Sequence, residues 1–143
     1  MDIVTKEKRS QMMSGIRAKN TKPEIIIRKL LFSKGLRFRI HKNIAGIKPD
    51  IVLKKYNLCI FVHGCYWHRH KNCKLTTTPK TNTDFWENKF LQNVKRDNKT
   101  KKLLTKIGWN VGIIWECSIR NGSFFTVDFY KLFNSSENWQ FPP

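Results

Sequence analysis

An uninterrupted apolar run at residues 58–62 (LCIFV) limits the folds open to this chain more than any other feature. A strand without polar alternation is typical of the middle of a sheet that is covered on both faces. Residues 108–116 (GWNVGIIWE) contain a second such run, and residues 84–106 between the two have helical periodicity. Two buried strands separated by a helix predict an α/β fold.

Residues 21–35 (TKPEIIIRKLLFSKG) predict a helix before these strands. Thr21 and Glu24 have the spacing of a capping box, Pro23 lies in the tolerant first turn, and Gly35 is a favoured helix end.

Three further segments complete the predicted order. Residues 36–43 (LRFRIHKN) alternate apolar and basic side chains, as a half-exposed strand does. DIVL at residues 50–53 predicts a strand that a short turn joins to LCIFV, and residues 126–133 (TVDFYKLF) predict a closing helix. The order helix, three strands, helix, strand, helix predicts a sandwich around a mixed central sheet.

The charge balance predicts a polyanionic partner. Lys and Arg number 28 against 10 Asp and Glu, a net charge of +18 on 143 residues. Nucleic acid is the first candidate and an acidic membrane surface the second.

Neither a membrane helix nor a secretory signal is expected, because the apolar runs are too short and MDIVTKEKRSQ has no apolar core. We therefore expect a cytoplasmic protein, in which four cysteines favour metal binding or free thiols over disulfides. By composition we divide the chain into a basic arm (1–20), one folded domain (21–135) and a C-terminal tail (136–143), which we expect to be disordered or a partner contact.

The cysteine spacing predicts a zinc site. Cys65, His70 and Cys73 follow a C-x4-H-x2-C pattern in a loop after a strand, and zinc in structural sites takes four tetrahedral N or S ligands. Cys117, just past the second buried strand, is the natural candidate for the fourth ligand if that strand ends near the loop. Cys59, inside LCIFV, is more simply a small buried side chain. The alternative is a set of unrelated thiols.

Two histidines and three acids remain as candidates for chemistry. His63 and His68 flank the zinc pattern and are either proton-transfer groups or surface residues. Asp50 opens a strand and is either a magnesium ligand or a turn residue. Asp97 lies on the apolar stripe of its helix, so it must be paired, ligated or catalytic. The simpler alternative is a salt bridge to the neighbours of Arg96 or to the strand layer. Glu24 has the simpler explanation of a helix cap.

Six segments together closely resemble the very short patch repair (Vsr-type) DNA mismatch endonucleases: TKPE, LRFRIH, KPDIV, CIFVHGCYWH, TNTDFWENKFLQNVKRD and GWNVGIIWEC. Their order and spacing match from about residue 13 to residue 120. The resemblance implies a three-layer restriction-endonuclease-like fold, a mixed central sheet flanked by helices, with a structural zinc site. It also implies an enzyme that nicks one strand 5′ to the T of a T:G mismatch and so initiates the repair of deaminated 5-methylcytosine.

The resemblance further implies roles for individual residues. Pro49 and Asp50 match the start of the superfamily's PD-x(n)-(D/E)-x-K signature, but residues 61–63 (FVH) stand where (D/E)-x-K is expected. The implied catalytic Mg²⁺ ligands are therefore Asp50 and the backbone carbonyl of Val62. The other implied catalytic residues are His68, which activates water, His63, which contacts the scissile phosphate, Asp97, which orients a histidine or a metal-bound water, and Glu24, an acid near the site.

The implied zinc ligands are Cys65, His70, Cys73 and Cys117, and the implied DNA-intercalating aromatics are Tyr66, Trp67 and Trp86. The last cysteine of HRHKNC is one residue further out than in some members, which leaves His68 open as an alternative to His70; we favour His70.

The partner implied is mismatched double-stranded DNA, with nucleoid association through it, and mismatch-repair proteins or a cytosine-5 methyltransferase system are candidate partners of a monomer. Two alternatives remain: a related nicking enzyme with another mismatch or a restriction-linked target, and a non-catalytic zinc-stabilised DNA-binding module.

Overall fold

The computed structural model describes residues 21–143 and contains one four-stranded mixed sheet in the order β1-β2-β3-β4. The strands are β1 (Ile51–Leu53), β2 (Leu58–His63), β3 (Asn110–Trp115) and β4 (Trp139–Phe141). β1 runs antiparallel to β2, whereas β2, β3 and β4 are parallel. The basic arm at residues 1–20 lies outside the described residues.

Helices cover both faces of this sheet. They are α1 (Lys22–Ser33), α2 (Thr83–Lys106), α3 (Glu116–Arg120) and α4 (Phe129–Phe133), with short 3-10 helices at Lys54–Tyr56 and Ser123–Thr126. One core cluster joins α1 and α4 to side chains such as Ile60 and Ile114, and the other joins α2 to side chains such as Cys59 and Val111. Successive strand residues thus alternate between two cores, which makes the α/β/α layering.

Two connections determine which strand ends meet. Asn57, in the left-handed conformation at φ 52°, turns β1 back onto β2, so Ile51 pairs with Ile60. The crossover through α2 makes β2 and β3 parallel and pairs His63 with Trp115 at their carboxyl ends. The residues that follow these two strands therefore lie side by side.

The predicted strand at residues 36–43 is wrong. Only Arg39 pairs, through an isolated bridge in which its N–H donates to the Val52 carbonyl at 2.9 Å and its carbonyl accepts from the Val52 N–H at 2.8 Å. His41 has φ 52°, a left-handed backbone that ends the extended run after a single bridge.

The segment expected to be a disordered tail or a partner contact belongs to the sheet. Trp139–Phe141 form β4 beside β3. The Val111 N–H also donates to Asn138 Oδ1 at 2.8 Å. Gly112 makes this pairing possible, because a β-carbon there would overlap the Trp139 ring.

Candidate active site

Asp50 lies immediately before β1, and the adjoining strand binds its carboxylate. The Val62 N–H donates to Asp50 Oδ2 at 2.7 Å. The N–H and carbonyl of one strand residue point to the same side, so the Val62 carbonyl faces the Asp50 side of β2. Burial and, to a smaller extent, the nearby Glu24 carboxylate raise the pKa of Asp50 to about 7, against the opposing effects of the Val62 N–H, His68 and Arg28.

Glu24 is a buried acid beside Asp50, not a capping-box residue. Thr21 occupies the N-cap of α1 without a side-chain cap hydrogen bond, so the predicted capping box is wrong. Glu24 is only 6% exposed and accepts from Arg28 Nη2 at 3.0 Å. Arg28 Nη2 also lies 3.3 Å from His41 Nε2, which must be the acceptor because a guanidinium only donates. The i,i+4 spacing of Glu24 and Arg28 was a usable sequence signal that the capping interpretation overrode.

His68 is bound to Asp97, whose predicted position on the inner stripe of α2 is confirmed. His68 Nδ1 lies 2.7 Å from Asp97 Oδ2. One turn earlier on α2, the Asn93 amide donates to the Trp67 carbonyl at 3.2 Å, so the same helix face holds the loop at two consecutive residues. The alternative of an ion pair with the residues around Arg96 is not the one observed.

His63 ends β2 and stacks on His68, with ring centroids 3.9 Å apart and planes 5° from parallel. It is 6% exposed, and within residues 21–143 its Nδ1 has no hydrogen-bond partner. Burial, with a smaller contribution from His68, lowers the pKa of His63 to about 3, although Asp97 opposes the shift. The ring is therefore neutral at pH 7 and can donate one N–H.

The four predicted zinc-type ligands meet at the carboxyl ends of β2 and β3. Their ligand atoms, in Cys65, His70, Cys73 and Cys117, all lie within 4.8 Å of one another. His70 Nδ1 is 3.7 Å from Cys65 Sγ and 3.5 Å from Cys117 Sγ. Bonds of about 2.0–2.3 Å to a tetrahedral zinc ion give ligand separations of roughly 3.5–3.8 Å, so this donor set fits the ion.

Of the two candidate histidines, the structure brings His70 to the thiols and His68 to the carboxylate. Burial raises the pKa of Cys65 even though the Cys117 N–H donates to its sulfur. Cys59 is fully buried in the core, as predicted. Trp115, which sequence reasoning missed, stacks on His70 at 4.3 Å and meets His63 edge-on at 5.2 Å, so one indole separates the two histidines.

Tyr66, Trp67 and Trp86 form a cluster beside these histidines. Tyr66 and Trp67 pack edge to face at 4.9 Å, and Trp67 lies 6.1 Å from Trp86. All three rings also contact Phe90 on α2. The i,i+4 spacing of Trp86 and Phe90 is a sequence signal for their contact, but nothing in the sequence signals that Phe90 also meets Tyr66 and Trp67.

One open cleft of about 1370 Å³ connects these groups. It exceeds the volume that small-ligand pockets usually have, roughly 300–1000 Å³. Its lining includes Asp50, Val62, His63, Tyr66, Trp67, His68 and Asp97, together with Lys89, Arg96 and Lys101 of α2. A large, open cleft that places Lys89, Arg96 and Lys101 beside acids and histidines has the room and the cations for a polyanionic substrate. Within residues 21–143, no helix combines the length and the apolar composition that crossing a membrane requires.

Comparison with known proteins agrees with this geometry. A family model described as DNA mismatch endonuclease Vsr matches residues 1–75. The type II nicking enzyme V.NmeAIP of Neisseria meningitidis serogroup A is 47% identical, over 84% of this chain and 85% of its own. The DNA mismatch endonuclease Vsr of Escherichia coli K12 is 40% identical, over 96% of this chain and 86% of its own.

Among solved structures, the catalytic domain of homing endonuclease I-Bth0305I matches with a TM-score of 0.56 and 19% identity, covering 82% of this chain and 98% of that one. That likeness shows the fold alone and confirms the predicted restriction-endonuclease-like architecture. The relatives, which are endonucleases and nicking enzymes, identify a DNA nicking hydrolase. The chain belongs to the Vsr family of DNA mismatch endonucleases.

Proposed function

We propose that the protein is a magnesium-dependent endonuclease that nicks one DNA strand 5′ to the T of a T:G mismatch and so starts the repair of deaminated 5-methylcytosine. The observation that carries this proposal is the convergence of two pairs of residues in one open cleft. Asp50 with Val62 offers oxygen ligands, and His68 with Asp97 offers an oriented base.

Asp50 and the Val62 carbonyl would hold the magnesium ion. Oxygen donors suit this ion, and burial with a like-charged neighbour favours a cation beside the Asp50 carboxylate. When bound, the ion would stabilise the negative charge that develops on the phosphate. Glu24 adds negative charge at the same place, and the ion pair with Arg28 limits its repulsion of Asp50.

His68 is the proposed general base. With the Asp97 carboxylate on Nδ1, that nitrogen carries the proton and Nε2 is the acceptor that can take a proton from the attacking water. Asp97 then stabilises the imidazolium. His63, neutral at pH 7, donates its N–H to the scissile phosphate without adding a charge that would repel a protonated His68.

Zinc, held by Cys65, His70, Cys73 and Cys117, is proposed as structural. The set is complete with four protein ligands, which leaves no position for a reacting group. It fixes the loop that carries Tyr66, Trp67 and His68.

The aromatic rings of Tyr66, Trp67 and Trp86 are the proposed intercalating wedge. A T:G wobble stacks less well than a Watson–Crick pair, so prying it apart costs less and the wedge enters there first. The basic arm at residues 1–20 is proposed to lie along the opposite groove and clamp the bent duplex.

A second candidate is a nicking enzyme linked to a restriction system, with a partner methyltransferase. The naming of V.NmeAIP and of V.XorIIP of Xanthomonas oryzae, which is 40% identical, as type II nicking enzymes favours it. A non-catalytic zinc module is disfavoured, because a pure binder has no use for a histidine–carboxylate pair facing phosphate.

The deciding experiment is nicking of end-labelled duplexes that carry T:G, T:A or C:G at one position. We expect a magnesium-dependent cut 5′ of the mismatched T only. A magnesium-dependent cut on all three duplexes would support the nuclease activity and reject the mismatch specificity. Binding without cutting would favour the zinc module.

A further inference from the structure

Phe90 is the point at which the three proposed wedge residues meet. Its ring centroid lies 5.3 Å from that of Tyr66, 6.3 Å from Trp67 and 6.0 Å from Trp86. Phe90 itself is only 4% exposed, whereas the three wedge residues are half-buried. The wedge therefore rests on one buried ring that belongs to the rigid helix α2.

Arg69 covers the face of that ring. Its guanidinium carbon lies 4.2 Å from the Phe90 centroid and 5.8 Å from the Tyr66 centroid. Both distances are within the range of a cation–π interaction. One cation thus contacts the common ring and the first of the wedge rings.

The polar edge of Arg69 is fixed as well. Nη1 donates to the carbonyls of Thr77, at 2.8 Å, and of Tyr66, at 3.3 Å, while Nη2 donates to the Thr78 hydroxyl at 2.8 Å. A planar guanidinium can stack on a ring and donate from its edge at the same time, which a lysine ammonium cannot do. Arg69 therefore ties the wedge loop to residues 77 and 78 and to α2 at once.

We propose that Arg69 and Phe90 form a positioning platform that holds Tyr66, Trp67 and Trp86 ready to insert into DNA, and that this platform determines the preference for mismatched DNA. The inference rests on the proposed function, in particular on the wedge. Ordering the wedge in advance lowers the entropy lost on insertion. That gain occurs only where the wedge inserts, whereas binding to paired DNA depends on phosphate contacts. Losing the platform should weaken mismatch binding alone.

The test compares Arg69→Gln, Arg69→Lys and Phe90→Leu with the full-length wild type. Affinity is measured by fluorescence anisotropy in magnesium-free buffer, on a T:G duplex and a T:A duplex. A second T:G duplex carries 2-aminopurine beside the mismatch, because its emission rises when the base is unstacked. Lys71→Gln, an exposed cation in the same loop, is the matched charge control, and zinc content is measured for every variant.

We expect all three variants to bind T:G DNA about tenfold more weakly, to lose most of the 2-aminopurine signal, and to keep wild-type affinity for T:A DNA and full zinc. Lys71→Gln should weaken both duplexes equally.

Three outcomes would overturn the platform. The first is wild-type T:G affinity in Arg69→Gln and Phe90→Leu. The second is an equal loss on both duplexes that Arg69→Lys restores, which would make Arg69 a phosphate contact. The third is loss of zinc in the Arg69 variants with normal T:G binding by Phe90→Leu, which would make Arg69 a zinc-loop residue. Failure of the wild type to distinguish the duplexes would instead reject mismatch recognition itself.

Discussion

Two clusters of possible metal ligands lie near the carboxyl end of β2, and they differ in chemistry. Cys65 and Cys117 meet because the parallel register pairs His63 with Trp115, and their cluster contains only sulfur and imidazole donors. Asp50 meets Val62 because the antiparallel hairpin brings β1 back along β2, and their cluster offers oxygen atoms. Different strand pairings thus produce a soft site and a hard site a few residues apart.

The clusters also differ in access. The zinc-type set closes on itself, since all four donors lie within 4.8 Å of one another, whereas the Asp50 set faces the large open cleft. Trp115 separates them, with His70 stacked on it and His63 against its edge. Trp115 Nε1 donates to Gln140 Oε1 at 3.0 Å, so β4 holds in place the ring that lies between His70 and His63. A closed set of protein ligands is typical of a structural metal ion, whereas a set that faces an open cleft is typical of a catalytic one.

The largest effect should come from removing the carboxylate of the open cluster. Asp50→Ala should lower the nicking rate at least about 10³-fold, because several kcal/mol of charge stabilisation are lost with the magnesium ion. Zinc content should remain that of the wild type. The control Asp84→Ala removes an exposed acid at the start of α2 and should nick normally. Zinc loss in Asp50→Ala would show that the clusters are not separate.

Breaking the closed cluster should have a broader effect. Cys117→Ser should lose zinc and lower the melting temperature by roughly 10 °C or more, because zinc binding contributes directly to folding. Nicking should fall with it, since His68 and the aromatic residues lie in the same loop. Cys59→Ala, which removes a buried thiol outside the cluster, should retain zinc. Full zinc occupancy in Cys117→Ser would contradict the four-ligand assignment.

Asp97→Asn tests the orientation of His68 alone. An amide can donate or accept, so it no longer enforces a proton on Nδ1, and we expect nicking to fall about 10–100-fold. DNA affinity should be unchanged, as measured on an uncut duplex in magnesium-free buffer. The control is Asp128→Asn, which makes the same acid-to-amide change at the N-cap of α4. An equal fall in DNA affinity would mean that Asp97 supports binding and not proton transfer.

How far the sequence predicted these regions depends on the range of their interactions. LCIFV, the short turn that joins it to DIVL and the periodicity of α2 are local patterns, and the structure confirms each of them. The spacing of Cys65, His70 and Cys73 is also local, and Cys117 followed once the two buried strands were recognised.

The remaining features come from contacts between distant residues. β4 exists because Trp139 packs where Gly112 leaves room, and nothing within residues 136–143 signals that contact. The run at 36–43 has strand-like alternation, but the left-handed backbone of His41 ends it. Glu24 satisfies a capping pattern, yet its carboxylate accepts a hydrogen bond from the half-buried Arg28 and lies beside Asp50. In each case tertiary packing overrides a valid local preference.

The smallest expected effect concerns the stability of the open cluster. Burial, reinforced by Glu24, raises the pKa of Asp50 from 3.8 to about 7, so between these pH values the folded state binds more protons than the unfolded state. In magnesium-free buffer, the contribution of Asp50 to stability should therefore fall as pH rises through this window. Asp50→Asn removes that loss and can still accept the Val62 N–H through its side-chain oxygen.

The stability of Asp50→Asn should therefore match the wild type near pH 4 and exceed it at pH 8 by about 1–4 kcal/mol, as measured by urea unfolding at both pH values. His63, whose lowered pKa makes stability rise with pH, is present in both proteins, so its contribution cancels in the difference. Cys59→Ala should show the same offset from the wild type at both pH values. A constant difference for Asp50→Asn would mean that Asp50 is ionised at little cost in the folded protein. The open cluster would then need no cation to balance a buried charge, and its contrast with the closed cluster would rest on ligand type and access alone.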